Sequence, residues 1–188
     1  MEPQWLFPAL GVDLACAHIS LWERLNHSDS RWLIRIQTRK LERSFMALSD
    51  SEIREALNNR SLIIEPFEEA SLNPAGYDLR LATEVALEAS EHRLVATLER
   101  VELSDELVVV LHIRSSMARE GILASLALVD PGFRGQLTIS LFNSGRRAVQ
   151  LRAGERFVQL TVLRLGRKAA SRYGGRYQDS QGVVPSRR

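Results

Sequence analysis

The sequence has one cysteine, Cys16, so it holds no disulfide framework, and a reducing, cytoplasmic setting is expected. The same scarcity excludes the zinc-deaminase pattern, a His or Cys with Glu followed by PCxxC. The four histidines, His18, His27, His92 and His112, show no HExxH-like spacing and read as surface or satisfied interior residues rather than metal ligands. There is no GxxxxGK[ST] and no GxGxxG, which removes the P-loop and the Rossmann phosphate cradle. A serine-hydrolase elbow, GxSxG, is also missing. No apolar run approaches the roughly 20 residues of a membrane helix. Apolar patches in residues 1–15 are broken by Glu2 and Asp13, and no basic region leads into them, so no signal peptide is expected. Internal repeats and low-complexity tracts are absent.

What remains is a chain of 188 residues, enough for one ordinary domain with a sizeable core. Net charge is only +2, but it is unevenly placed. Residues 62–108 carry 11 acids and 3 bases, whereas residues 146–188 carry 11 bases and 2 acids. A basic C-terminal third suits a polyanion such as a nucleotide triphosphate, and equally a solvated surface.

Residues 1–45 hold all three tryptophans, Trp5, Trp22 and Trp32, and stand apart as an N-terminal extension of unknown role. A short strand is expected at 31–37 and a basic helical turn at 38–45. Ser49-Asp50-Ser51-Glu52 is a capping box, after which Ile53, Ala56 and Leu57 share one helical face. That helix should end near Asn58-Asn59, where Asn tolerates a left-handed cap. Short β-rich runs follow at 62–64, 77–81, 83–87, 93–98, 107–113, 122–129, 136–142, 147–151 and 157–165. Many short strands without long helices predict a mainly β fold, a sandwich or barrel with one short N-terminal helix. Residues 46–170 would form this domain. Residues 171–188, opened by Gly174-Gly175, would form a mobile basic tail.

The stretch from Arg114 to Asn143 concentrates the chemistry. Arg114, Ser115, Ser116 and Arg119 are anion-binding groups. An apolar hairpin is expected to follow. Asp130-Pro131-Gly132 specifies a type II turn, a structural role that would account for Asp130 by itself. In the final strand Leu137, Ile139 and Leu141 share one face, so Thr138, Ser140 and Phe142 share the other.

Four stretches resemble the motifs of the dCTP deaminase and dUTPase superfamily, in family order. They are PAGYDLRLA at 74–82, RSSMAREG at 114–121, VDPGFRGQLTISLFNSG at 129–145 and AGERFVQLTV at 153–162. The tail RYQDSQGVVPSR at 176–187 resembles the deaminase C-terminus. The resemblance covers residues 46–188. It implies a distorted, dUTPase-like β-barrel, a homotrimer with sites between subunits, and a deoxynucleoside triphosphate held with Mg²⁺. Arg114, Ser115, Ser116, Arg119 and Gln159 would bind phosphate, although Arg114 fits an interface salt bridge equally well. Asp78 would hold the Mg²⁺ through water, or else stabilise a turn. Phe133 would pack on the deoxyribose, or else belong to the core. Arg176 and Tyr177 would belong to a tail that closes over the site.

Two reactions fit this scaffold. In diphosphohydrolysis Asp130 is the general base for the water that attacks the α-phosphorus. In metal-free deamination a glutamate shuttles protons, in a strand of the form LEFYNSG. The matching strand here is ISLFNSG, with Ser140 in the glutamate's place. The hairpin between Arg119 and Asp130 is also shorter than in the deaminases, and Ser180 stands where they commonly have glutamine. The expectation from sequence is therefore hydrolysis of dUTP to dUMP and pyrophosphate. Deamination of dCTP comes second, and a catalytically inactive nucleotide-binding module third. A membrane partner is not expected. Nor is nucleic acid, since Tyr173 and Tyr177 are the only aromatics near the basic tail.

Overall fold

The computed structural model describes residues 46–125 and 127–188. The strand expected at 31–37 and the turn at 38–45 lie outside the described residues. The capping box forms. Ser49 Oγ accepts from the Glu52 N–H, and the Glu52 carboxylate accepts from the Ser49 N–H at 3.0 Å. Helix α1 then runs Asp50–Asn58 and buries Ile53 and Ala56. Its end differs in one detail from expectation. Asn59 caps it at φ −87°, and Arg60, at φ 59°, carries the left-handed turn.

Twelve strands follow or flank α1 among the described residues. They are β1 (Met46–Ala47), β2 (Leu62–Glu65), β3 (Leu72–Asn73), β4 (Gly76–Arg80), β5 (Val85–Leu87), β6 (His92–Leu103), β7 (Leu107–Ile113), β8 (Ile122–Ala124), β9 (Leu128–Val129), β10 (Arg134–Asn143), β11 (Val149–Leu151) and β12 (Arg156–Arg164). A six-stranded sheet has the order β3-β4-β12-β7-β9, with β1 also on β12. A four-stranded sheet has the order β2-β6-β10-β8, and β11 pairs with β5 alone. All these pairings are antiparallel. The fold is mainly β, as the strand spacing predicts.

The expected closed barrel is not found among the described residues. No ladder joins the end strands of one sheet to those of the other, and only an isolated bridge from Leu81 to Thr97 links β4's end to β6. Closure needs a continuous hydrogen-bonded circuit. Strands as short as β3, β8 and β9 leave the circuit open. A second correction concerns helices. Ser115–Arg119 forms a short helix, α2, and Glu69–Ser71 a single 3-10 turn.

The apolar hairpin expected between Arg119 and Asp130 is also not formed. β8 pairs with β10, Ala124 opposite Leu141, while β9 pairs with β7, Val129 opposite Val109. The segment crosses from one sheet to the other. Ile122 and Val129 are both buried, each in its own sheet. Apolar alternation specifies which face is covered and not which neighbour a strand takes.

The sheets enclose a core that includes Tyr77, Leu79, Val95, Leu111, Ile139, Phe157 and Val162. One charge is fully buried between them. Glu99 accepts from Arg80 Nε at 2.6 Å and from the Arg80 backbone N–H at 2.8 Å. A buried carboxylate with both oxygens engaged fixes β4 against β6 in one register, because any slip would strand the charge.

Candidate nucleotide site

Strands β4, β12 and β7 lie side by side and present the first group of residues. Gln159 on β12 faces Asp78 on β4 across one ladder and His112 on β7 across the other. Gly76 lets the strands approach this closely, since a Cβ there would meet the Leu160 carbonyl oxygen at 2.4 Å. The Asp78 side chain is 5% exposed, and its Oδ2 accepts from Arg114 Nε at 2.9 Å. Arg114 Nη1 donates to the Arg156 carbonyl at 2.9 Å, and the Arg114 backbone N–H donates to Phe157 O at 3.1 Å. Of the two roles open to Arg114, the structure gives it an ion pair, and that pair lies within its own chain. From this anchor α2 begins. Met117 is buried beneath it, and Ser115, Ser116 and Arg119 are exposed above.

Asp130 sits elsewhere. The type II turn forms, with the Phe133 N–H donating to Asp130 O at 3.1 Å and Gly132 at φ 82°. The carboxylate is exposed. Since Val129 pairs with Val109, Asp130 lies level with Val108, at the start of β7. Arg114 follows the other end of that strand, about 20 Å away at the rise of an antiparallel strand. Phe133 is 7% exposed, with its ring edge-on to Tyr173 at a centroid distance of 5.6 Å. Within one chain it is a core residue, the second of the two roles weighed from sequence.

Strand β10 alternates as expected. Leu137, Ile139 and Leu141 are buried, while Gln136, Thr138, Ser140 and Phe142 share the opposite, more open face. On that face Ser140 Oγ lies 2.7 Å from His92 Nε2 of β6. His92 was set aside in the sequence as one scattered histidine. Only the β6–β10 register, with His92 opposite Phe142 and Leu94 opposite Ser140, brings it to the site.

The tail is docked on the same face, rather than mobile as expected. The Gln136 N–H donates to Ser180 O at 2.9 Å, and Ser180 Oγ donates to Gln136 O at 2.7 Å. The Gly182 N–H donates to Gln136 Oε1 at 2.7 Å, and the Val184 N–H to Thr138 Oγ1 at 3.0 Å. Arg134 is ion-paired with Asp179 and holds that carboxyl below its usual range. Arg176 and Tyr177 do not reach the Arg114 group by any hydrogen bond. The Arg176 carbonyl accepts from Arg187 Nη1 at 2.6 Å. Tyr177 Oη accepts from the Arg187 N–H at 3.1 Å, which lowers the phenol's pKa.

The donor set does not fit a resident Mg²⁺ on Asp78. That carboxylate is buried and already holds a guanidinium. Among the described residues no group of three or more His, Cys, Asp or Glu could hold a metal ion. Mg²⁺ asks for at least one carboxylate free to meet its waters. No chemical step is derived through it.

A mainly β scaffold thus carries a cationic, hydroxyl-bearing segment at one end of β7, a set of groups that suits an anionic ligand, and an exposed acid at the other. The dUTPase family profile matches residues 64–181. The dCTP deaminase of Pyrococcus horikoshii is 44% identical over 158 residues, 76% of this chain and 98% of that protein. A probable deoxyuridine 5′-triphosphate nucleotidohydrolase of Sulfolobus islandicus rod-shaped virus 1 is 34% identical over 154 residues, 74% of this chain and 97% of that protein. Among solved structures, the 2′-deoxycytidine 5′-triphosphate deaminase of Agrobacterium tumefaciens shares the fold at a TM-score of 0.56 with 18% identity. That match covers 65% of this chain and spans about half of the other, 49%. The chain belongs to the dUTPase family, within the superfamily that dUTPases form with the dCTP deaminases. Its relatives act in deoxynucleotide metabolism, and their names favour deamination, the reaction placed second from sequence.

Proposed function

We propose that the protein deaminates dCTP to dUTP and ammonia. The observation that carries this reading is the 44% identity to a protein named dCTP deaminase across 98% of that protein's length. The geometry agrees with a triphosphate substrate. Ser115, Ser116 and Arg119 stand exposed on α2, Gln159 lies on β12 opposite Asp78, and Arg114 is pinned by Asp78 so that the loop keeps its shape. Charge-assisted contacts from such a loop suit phosphate oxygens. The open face of β10, with Ser140 and the docked tail, suits the base. One chain separates Asp130 from this grip by about 20 Å along β7. A site that used both would draw on a second copy, in keeping with the homotrimer that the resemblance implies.

The second reading is hydrolysis of dUTP to dUMP and pyrophosphate, with exposed Asp130 as general base. It is favoured by Ser140, which brings no carboxylate, and by the viral relative named as a nucleotidohydrolase. Incubating the purified chain with dCTP and with dUTP separates the two. Ammonia from dCTP supports deamination. Pyrophosphate from dUTP without ammonia from dCTP rejects it and supports hydrolysis.

A further inference from the structure

The geometry points to a Ser140–His92 pair as the proton relay of deamination, in the place where a glutamate would otherwise serve. The inference rests on the deaminase reading above. Ser140 Oγ and His92 Nε2 are 2.7 Å apart, on adjacent strands and on the face that the core does not use. A serine hydroxyl by itself neither takes nor gives a proton near neutral pH. An imidazole hydrogen-bonded to it does both, which is the arrangement that activates a hydroxyl in many enzymes. On that face β10 adds Thr138 and Phe142, and the β8 side adds Leu123 and Ser125, whose N–H donates to Ser140 O at 3.0 Å; none of these side chains is a base near neutral pH. The face's charged groups lie at the far end, where Glu65 of β2 stands opposite Arg100, Arg100 pairs with Glu102 and Arg134 with Asp179. On β6 itself, Arg93 is held by Glu91.

The step balances. Water adds through its oxygen to C4 of cytosine, and the C4=N3 electron pair moves to N3. One water proton passes through the Ser140 hydroxyl to His92 and returns by the same path to N3. The proton left on the C4 hydroxyl then travels by that path to the amino nitrogen. The C4–N bond breaks, ammonia leaves, and C4=O forms. Ser140 touches the reacting atoms, and His92 acts through it.

The test measures ammonia release from dCTP by wild-type, His92→Gln, His92→Ala and Ser140→Glu/His92→Gln proteins. Gln can keep a hydrogen bond to Ser140 but cannot carry the proton. The expected result for His92→Gln is a kcat lower by about 100-fold or more, with KM changed less than threefold. Added imidazole should restore activity to His92→Ala. Ser140→Glu/His92→Gln should regain turnover, since a carboxylate then replaces the relay. Wild-type ammonia release with an unchanged kcat in His92→Gln overturns the relay and leaves the deaminase reading intact. No ammonia from the wild-type protein overturns both.

Discussion

The two ends of β7 handle charge in opposite ways. At the Ile113 end, Asp78 is buried and spent on Arg114, and that pair holds the start of α2 in place. At the Leu107 end, Asp130 stands exposed on a turn whose geometry comes from backbone alone. The first acid serves structure and leaves the loop's hydroxyls and Arg119 outward. The second is available for chemistry. A single strand thus keeps the grip and the acid about 20 Å apart.

The sharpest way to test the first end is Arg114→Ala. It leaves the Asp78 carboxylate buried without its partner, and the loss should reach about 3 kcal/mol in urea denaturation. A loss below about 0.5 kcal/mol would mean that the ion pair does not anchor the loop. A smaller effect is expected at the edge of the second end. Gly135 has φ 145°, and a Cβ there would lie 2.8 Å from Ser180 Oγ and 2.9 Å from Ser180 N. Gly135→Ala should cost about 1–2 kcal/mol of backbone strain and release the tail. Faster hydrogen exchange at Gly182 and Val184, with β7 amides unchanged, is the expected readout.

The sequence made much of this legible. The capping box, the type II turn and the two faces of β10 are local patterns, written in residues three or fewer apart, and each formed as expected. What stayed hidden depends on distant partners. Nothing near His92 in sequence points to Ser140, 48 residues away. The sheet change between β8 and β9 was invisible because the same apolar residues suit either neighbour. The tail read as loose because its glycines and polar residues carry no burial signal. Its order comes from Gln136 and Thr138, side chains on a strand more than 40 residues upstream. For Asp78 the resemblance offers a water-mediated Mg²⁺ or a turn, and neither reading contains the Arg114 pair, because a motif position does not tell what a residue touches in one chain.

A finer probe of the tail uses pH. Arg134 depresses the folded-state pKa of Asp179 below the ordinary value of 3.8. The pair's contribution is therefore full above that value and is lost as pH falls through the depressed one. Exchange at Gly182 and Val184 should lose protection, relative to β7 amides, only in that acidic window. Asp179→Asn should abolish the transition. Protection that fades near neutral pH instead would assign the docking to other groups.

The smallest structural effect, and the most telling for chemistry, belongs to Asp130→Asn. The side chain is exposed and the turn is closed by backbone atoms, with Gly132 supplying the positive φ. Stability should change by less than about 0.5 kcal/mol. Under the deaminase reading, ammonia release from dCTP need not pass through this carboxylate, so it should survive the substitution. Under the hydrolytic reading the same change removes the general base, and pyrophosphate release from dUTP should fall by about 100-fold or more. Measured together on one preparation, the two turnovers and the unfolding midpoint assign the open end of β7 to chemistry or to turn structure alone.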